Sequence, residues 1–315
     1  MNTRLVCQLA LRALLALSPG AFAQTASSSP QCQTLHTYVS VLKPDGHAFT
    51  SLTAADFGAE AGGKRAQVTA ATLHVPDHRV LVLLDHSGSM QGPKWAVAIG
   101  LTRDLIALLP PKVPIEIEWF DDGLHQLVPL TRDHRYADAL LNTFLRAGPA
   151  PRSRTHLFNA IMEALKTLPT HHPGDVIYAL TDGEDNDTFV KTTDIAAELM
   201  RSSTRLFAAL LQYSEPNEMN EYLRGAQALE RIAQETGGDY FLGREPVGEV
   251  DEEVLQPARK ANFALFESMM GDYSLTLVSP MALAKEGRLR LHVHAPKPGE
   301  KMKIVYPEEI LPSCP

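Results

Sequence analysis

The chain has no excess of positive charge. Its 29 Lys and Arg stand against 37 Asp and Glu, a formal net charge of −8 over 315 residues. That balance argues against nucleic acid as the main partner. There is also no apolar run of the roughly 20 residues that a membrane-spanning helix needs. Cysteine is scarce, at three residues, Cys7, Cys32 and Cys314. The rest of the composition, 44% hydrophobic and 21% charged, is that of an ordinary globular protein. The length suggests one large domain or two modest ones.

The N-terminus reads as a secretory signal over residues 1–23. Arg4 and Arg12 give it a basic start, 13–17 is apolar, and Ala21-Phe22-Ala23 forms an A-x-A cleavage site. Gln24 would then begin a mature chain that is secreted or periplasmic. Cys7 lies in the signal and lacks a following small-residue lipobox. Cys32 and Cys314 are left as an even pair in an oxidising compartment, which favours a disulfide between them. Residues 24–32 are Ser/Ala-rich and are expected to form a disordered linker.

The chain is organised around 79–90, RVLVLLDHSGSM. Val80 to Leu84 is an unbroken apolar run with β-branched members, as in a strand buried on both faces of a sheet. Asp85, Ser87 and Ser89 follow at spacings of two, with Gly88 and Gly92 permitting a tight turn into a helix. In open α/β sheets, ligands sit beyond the carboxyl ends of the strands. Three oxygen-bearing side chains there suit a hard cation such as Mg²⁺. The plain alternative for the serines is helix capping.

Asp85-x-Ser87-Gly88-Ser89-Met90 resembles the opening motif of the von Willebrand factor type A (VWA) domain. That family's metal-ion-dependent adhesion site (MIDAS) has the form D-x-S-x-S, then a distant Thr, then a distant Asp. Both later pieces occur in order. Thr155-His156-Leu157-Phe158-Asn159-Ala160 is similar to the family's threonine segment, with Ser153 and Arg154 standing where the family has glycines. Arg154 there would either crowd the metal mouth or set a cation beside it. The apolar run 175–180, DVIYAL, ends in Thr181-Asp182-Gly183, similar to the family's T-D-G. The resemblance implies a metal site of Asp85, Ser87, Ser89, Thr155 and Asp182. Glu184, Asp185 and Asp187 lack EF-hand spacing and read as a solvated acidic turn.

Strands and helices alternate from 79 to 243, which argues for a doubly wound, mostly parallel α/β sheet flanked by helices. This is the Rossmann-like architecture that the resemblance also implies. Trp95 to Leu109 has helical spacing, closed by Pro110-Pro111. Ile115, Ile117 and Trp119 alternate with Glu116 and Glu118, predicting a strand with one wet face. Asp121-Asp122-Gly123 predicts a hairpin turn. The flanks are β-rich: 36–42 and 57–70 before the sheet, 273–278 and 287–293 after it. They resemble the lead-in and tail of an exported, acidobacterial-type VWA subfamily. Residues 33–75 and 272–315 are therefore expected to form the two halves of a small β domain, with a VWA domain, 76–271, between them. His292 and His294 share one strand face and are expected to be solvent-facing.

By its resemblance the site would be a surface metal centre. Mg²⁺, or Mn²⁺ or Ca²⁺ in its place, would keep an open position for a Glu or Asp carboxylate of a partner protein. That is adhesion, not catalysis. No G-x-S-x-G elbow surrounds Ser87 or Ser89, and the position two residues after Asp85 holds Ser87 rather than a second carboxylate. Metal-assisted hydrolysis and a structural scaffold with an empty site stay open as alternatives.

Overall fold

The computed structural model describes residues 34–73, 78–151, 154–168, 172, 174–186, 188–212, 219–244, 252–279, 287–294 and 301–310. The predicted signal, the linker, the Cys32–Cys314 pair, Ser153 and Asp187 lie outside these residues.

Three strands come first, β1 (Thr34–Leu42), β2 (Phe57–Ala61) and β3 (Lys64–Leu73). The alternating part follows: β4 (Val80–Asp85), α1 (Pro93–Leu108), β5 (Ile115–Phe120), β6 (Leu124–Thr131), α2 (His134–Ala147), α3 (Leu157–Thr167), β7 (Val176–Thr181), α4 (Thr192–Arg201), β8 (Arg205–Gln212), α5 (Met219–Thr236), β9 (Tyr240–Arg244) and α6 (Glu252–Met270). Then come β10 (Asp272–Val278), β11 (Gly287–Val293), β12 (Lys303–Val305) and β13 (Glu309–Ile310). Among the described residues, no helix is long and apolar enough to cross a membrane.

The alternating part forms a six-stranded sheet in the order β6-β5-β4-β7-β8-β9. All its pairings are parallel except that of β6 with β5, the predicted hairpin. The unbroken apolar run of β4 has its cause here. Val80, Val82 and Leu84 pack in a core shared with α1 and α6, while Leu81 and Leu83 pack in a core shared with α3, α4 and α5. Each fully buried Val or Leu contributes roughly 1.5–3 kcal/mol. The chain leaves β4 toward β5 on one side and returns as β7 on the other. Between β4 and β7 the strand order therefore reverses, which marks the ligand crevice of a doubly wound sheet. At the foot of these two strands Arg79 pairs with Asp175, both buried.

The predicted wet face of β5 is not wet. Glu116 and Glu118 are each only 2% exposed, because α3 and β6 pack against this strand. Gln126 of β6 donates to Glu116 Oε1 at 2.7 Å. Burial, reinforced by the Glu116 charge, pushes the Glu118 carboxyl up to about 7.

The flanking segments join in a second, wholly antiparallel sheet of order β12-β1-β10-β3-β2-β11-β13. Strands from before and after the alternating part interleave in it. β1 runs against β10 from Thr34 opposite Val278 to Ser40 opposite Asp272. The short strand β13 was not expected. Helix α6 leads directly into this sheet, and its end is tied from both sides. Arg205 of β8 donates to the carbonyl of Met269 at 2.9 Å, and Ser40 Oγ of β1 donates to that of Ser268 at 2.5 Å.

Candidate metal centre

Asp85 and Asp182 stand at the carboxyl ends of β4 and β7, adjacent strands on either side of the order reversal. Both are 0% exposed. Asp85 Oδ1 accepts the Ser87 backbone N–H at 2.9 Å, and its Oδ2 accepts the Thr181 hydroxyl at 2.6 Å. Burial first, and then the charge of Asp182, hold the Asp85 carboxyl well above the usual carboxylate range. Two neighbouring buried carboxylates are relieved either by a proton on one of them or by a cation between them.

The serines do not cap. Ser87 sits at the N-cap of a 3₁₀ turn, Gly88–Met90, and makes no side-chain cap bond. Its hydroxyl lies 3.1 Å from that of Ser89. Ser87 is 1% exposed, whereas Ser89 is half-buried and forms the outer lip. Thr155 also escapes the capping role, because the N-cap of α3 is His156. Thr155 is 1% exposed. Its loop is tied on two sides: His156 N–H donates to the Asp121 carbonyl at 2.9 Å, and Asn186 N–H donates to the Thr155 carbonyl at 2.9 Å.

The run after Asp182 braces the loop before α3, and of the acidic residues read as a solvated turn Glu184 and Asp185 are half-buried. Asn186 Oδ1 accepts the Thr155 N–H at 3.0 Å, and Asp185 Oδ1 accepts from the Thr188 hydroxyl and from Phe158 N–H. The loops after β7 and before α3 are thus stitched together. Gly183 adopts φ +87°, a left-handed conformation that an L side chain would strain.

The structure therefore brings Asp85, Ser87, Ser89, Thr155 and Asp182 to one end of the sheet. It differs from the surface centre predicted from the sequence, since four of the five are buried. It also supplies a cation that the sequence reading missed. Lys94, in the first turn of α1, is 3% exposed, and its Nζ donates to Asp182 Oδ2 at 2.8 Å. A lysine two residues past Gly92, at the head of an otherwise largely apolar helix, was the available signal. Arg154, the cation singled out from the sequence, has an exposed side chain.

Beside the site, the His86 ring packs edge-on against Trp95 at 4.8 Å and Trp119 at 5.2 Å, with Phe144 at 5.3 Å. This burial depresses the imidazole pKa. On the second sheet, the His292 and His294 rings meet edge to face at 5.6 Å. Among the described residues no three His, Cys, Asp or Glu side chains gather as a metal site. The donor set at the head of β4 and β7 is of another kind, two carboxylates and three hydroxyls. All are hard oxygens, which fit Mg²⁺, Mn²⁺ or Ca²⁺ and not a thiolate-seeking metal.

Residues 80–184 match the family model of the von Willebrand factor type A domain. The match begins at the first residue of β4 and ends two residues past Asp182. No curated protein matches the chain. Among solved structures, an aerotolerance-related membrane protein from Bacteroides fragilis is 19% identical, with a TM-score of 0.46, over 61% of this chain and 98% of that one. The manganese-loaded TRAP protein of Plasmodium vivax is 14% identical, with a TM-score of 0.45, over 75% and 95%. A proximal thread matrix protein of the mussel byssus with a zinc-occupied MIDAS motif is 13% identical, with a TM-score of 0.46, over 65% and 49%.

Proposed function

We propose that the chain is an exported, metal-dependent protein-binding module. Asp85, Ser87, Ser89, Thr155 and Asp182 would hold one divalent cation, Mg²⁺ or a similar hard ion. When bound, the ion supplies a coordination position for a Glu or Asp carboxylate of a partner protein. The observation that carries this reading is the pairing of two buried carboxylates with hydroxyls not used as helix caps, at the point where the strand order reverses. The match of 80–184 to the VWA model supports it. A carboxylate from outside is tolerable in such a place only if a cation pairs its charge. The function is binding and not turnover.

The exported location rests on the leader at 1–23. We take 76–271 as the metal-bearing domain and 33–75 with 272–315 as two halves of a β domain around it. We also assign a disulfide to Cys32 and Cys314. In the loop-entropy picture a bridge of that span constrains the unfolded chain by roughly 4–5 kcal/mol. Mass spectrometry of unreduced peptides will find the two cysteines linked, and two free thiols in freshly exported protein would refute it.

The test of function is capture of a partner from the native exported fraction in Mg²⁺, in EDTA, and after Mn²⁺ is restored. Capture should be lost in EDTA, return with Mn²⁺, and be absent for Ser87→Ala/Ser89→Ala. Equal capture in EDTA would overturn the metal bridge. A second reading, a scaffold that needs no ion, draws on Lys94, which already gives Asp182 one positive charge.

A further inference from the structure

We infer that Lys94 is the site's tethered cation: its ammonium stands in for the divalent ion when none is bound and must be displaced for one to enter. The inference rests on the metal-binding reading of the site.

The placement of Lys94 is hard to explain by the needs of α1. A cation in the first turn of a helix opposes the helix dipole. Lysine is also among the residues least often fully buried unless paired. Yet Lys94 is 3% exposed with its Nζ 2.8 Å from Asp182 Oδ2. The chain is bent to put it there. Gly92 adopts φ +71°, open to glycine and strained for other residues, and Pro93 begins the helix one residue before Lys94.

The same two strands carry an internal comparison. At their foot, Arg79 grips Asp175 with its backbone N–H, its Nε and its Nη2, engaging both carboxylate oxygens. That pair is built to stay, because a guanidinium is always charged and matches a carboxylate in shape. At their head the cation is instead an ammonium on a flexible four-carbon stem, a compact point charge. Its single charge can balance only one ionised carboxylate, whereas a divalent ion in its place would balance both. The hydroxyls of Ser87, Ser89 and Thr155 would add neutral oxygen donors to a divalent ion there. A stem anchored in the first turn of α1 lets the ammonium leave without unwinding the helix. A site gated in this way takes up a divalent ion only when the ion outcompetes its own lysine. It would stay shut at low metal concentration.

Calorimetric titration of Mn²⁺ into the full chain, as wild type, Lys94→Met, Lys94→Arg and Lys94→Met/Asp182→Asn, tests this. Removing the tethered competitor should tighten Mn²⁺ binding by about tenfold or more, within the usual range of site coupling. Lys94→Arg, which keeps a positive charge, should not tighten it, and the double variant should not bind. Melting curves give an independent readout: Lys94→Met in EDTA should melt below wild type, and Mn²⁺ should raise its Tm more than it raises that of wild type. If Lys94→Met is poorly folded in EDTA, recovery on adding Mn²⁺ supports the inference, and a failure to recover overturns it. Equal affinity of wild type and Lys94→Met overturns the inference and leaves the metal site standing. Binding by Lys94→Met but not by wild type overturns both, since Lys94 would then be a permanent replacement for the ion and not a competitor that the ion displaces. Binding by neither overturns both.

Discussion

Gly225 of α5 lies directly against the backbone of Gly183, in the loop that carries Asp182. A Cβ on Gly225 would sit 1.8 Å from the Gly183 carbonyl oxygen. Helix α5 is thus part of the site's support, although it contributes no ligand. Gly225→Ala must push that loop away, since the obstacle is backbone and not a movable side chain. We expect a loss of about 1–3 kcal/mol in urea unfolding, the usual cost of overpacking, together with weaker Mn²⁺ binding. Wild-type stability and affinity in Gly225→Ala would show that the helix and loop separate freely.

The Arg79–Asp175 pair at the foot of β4 and β7 should behave as a structural ion pair. Asp175→Ala leaves a buried guanidinium without its partner and should cost about 3–5 kcal/mol. Chemical denaturation reads this directly. A loss below about 1 kcal/mol would mean that water or another group takes the place of Asp175.

Glu118 gives the fold a pH dependence with a definite sign. Its carboxyl is raised from 4.5 to about 7 in the folded chain. Between those values the folded state holds a proton that the unfolded state has released. Stability from this group therefore falls as pH rises through that window and stays low above it. Glu118→Gln should remove this slope and be more stable than wild type at pH 8, by up to about 3 kcal/mol, with little difference at pH 4. Parallel stability profiles for the two proteins between pH 4 and pH 8 would contradict the assignment.

These particulars show how far the sequence could be read. The apolar runs of β4 and β7 were legible because strands buried on both faces have no polar positions. Their ends were legible because Asp85 and Asp182 interrupt those runs. Depth was not legible. Alternation in β5 marks two faces, but nothing in Glu116 and Glu118 themselves says that α3 and β6 will cover theirs. The same limit hid the burial of Asp85, Ser87, Thr155 and Asp182. It also hid Lys94, which has the composition of a solvated helix residue until Gly92 and Pro93 turn it inward. The brace joins Asn186 to Thr155, 31 residues away in sequence, and Asp185 to Phe158, 27 away, beyond the reach of local pattern.

The central claim is that one divalent cation is held by the oxygen donors at the head of β4 and β7. Titration calorimetry of Mn²⁺ into wild type and into Ser87→Ala/Ser89→Ala, with folding checked by circular dichroism, tests it most directly. The account predicts one ion per chain for wild type and binding at least about tenfold weaker for the variant, since two direct oxygen donors are lost. Equal Mn²⁺ affinity in two equally folded proteins would contradict it.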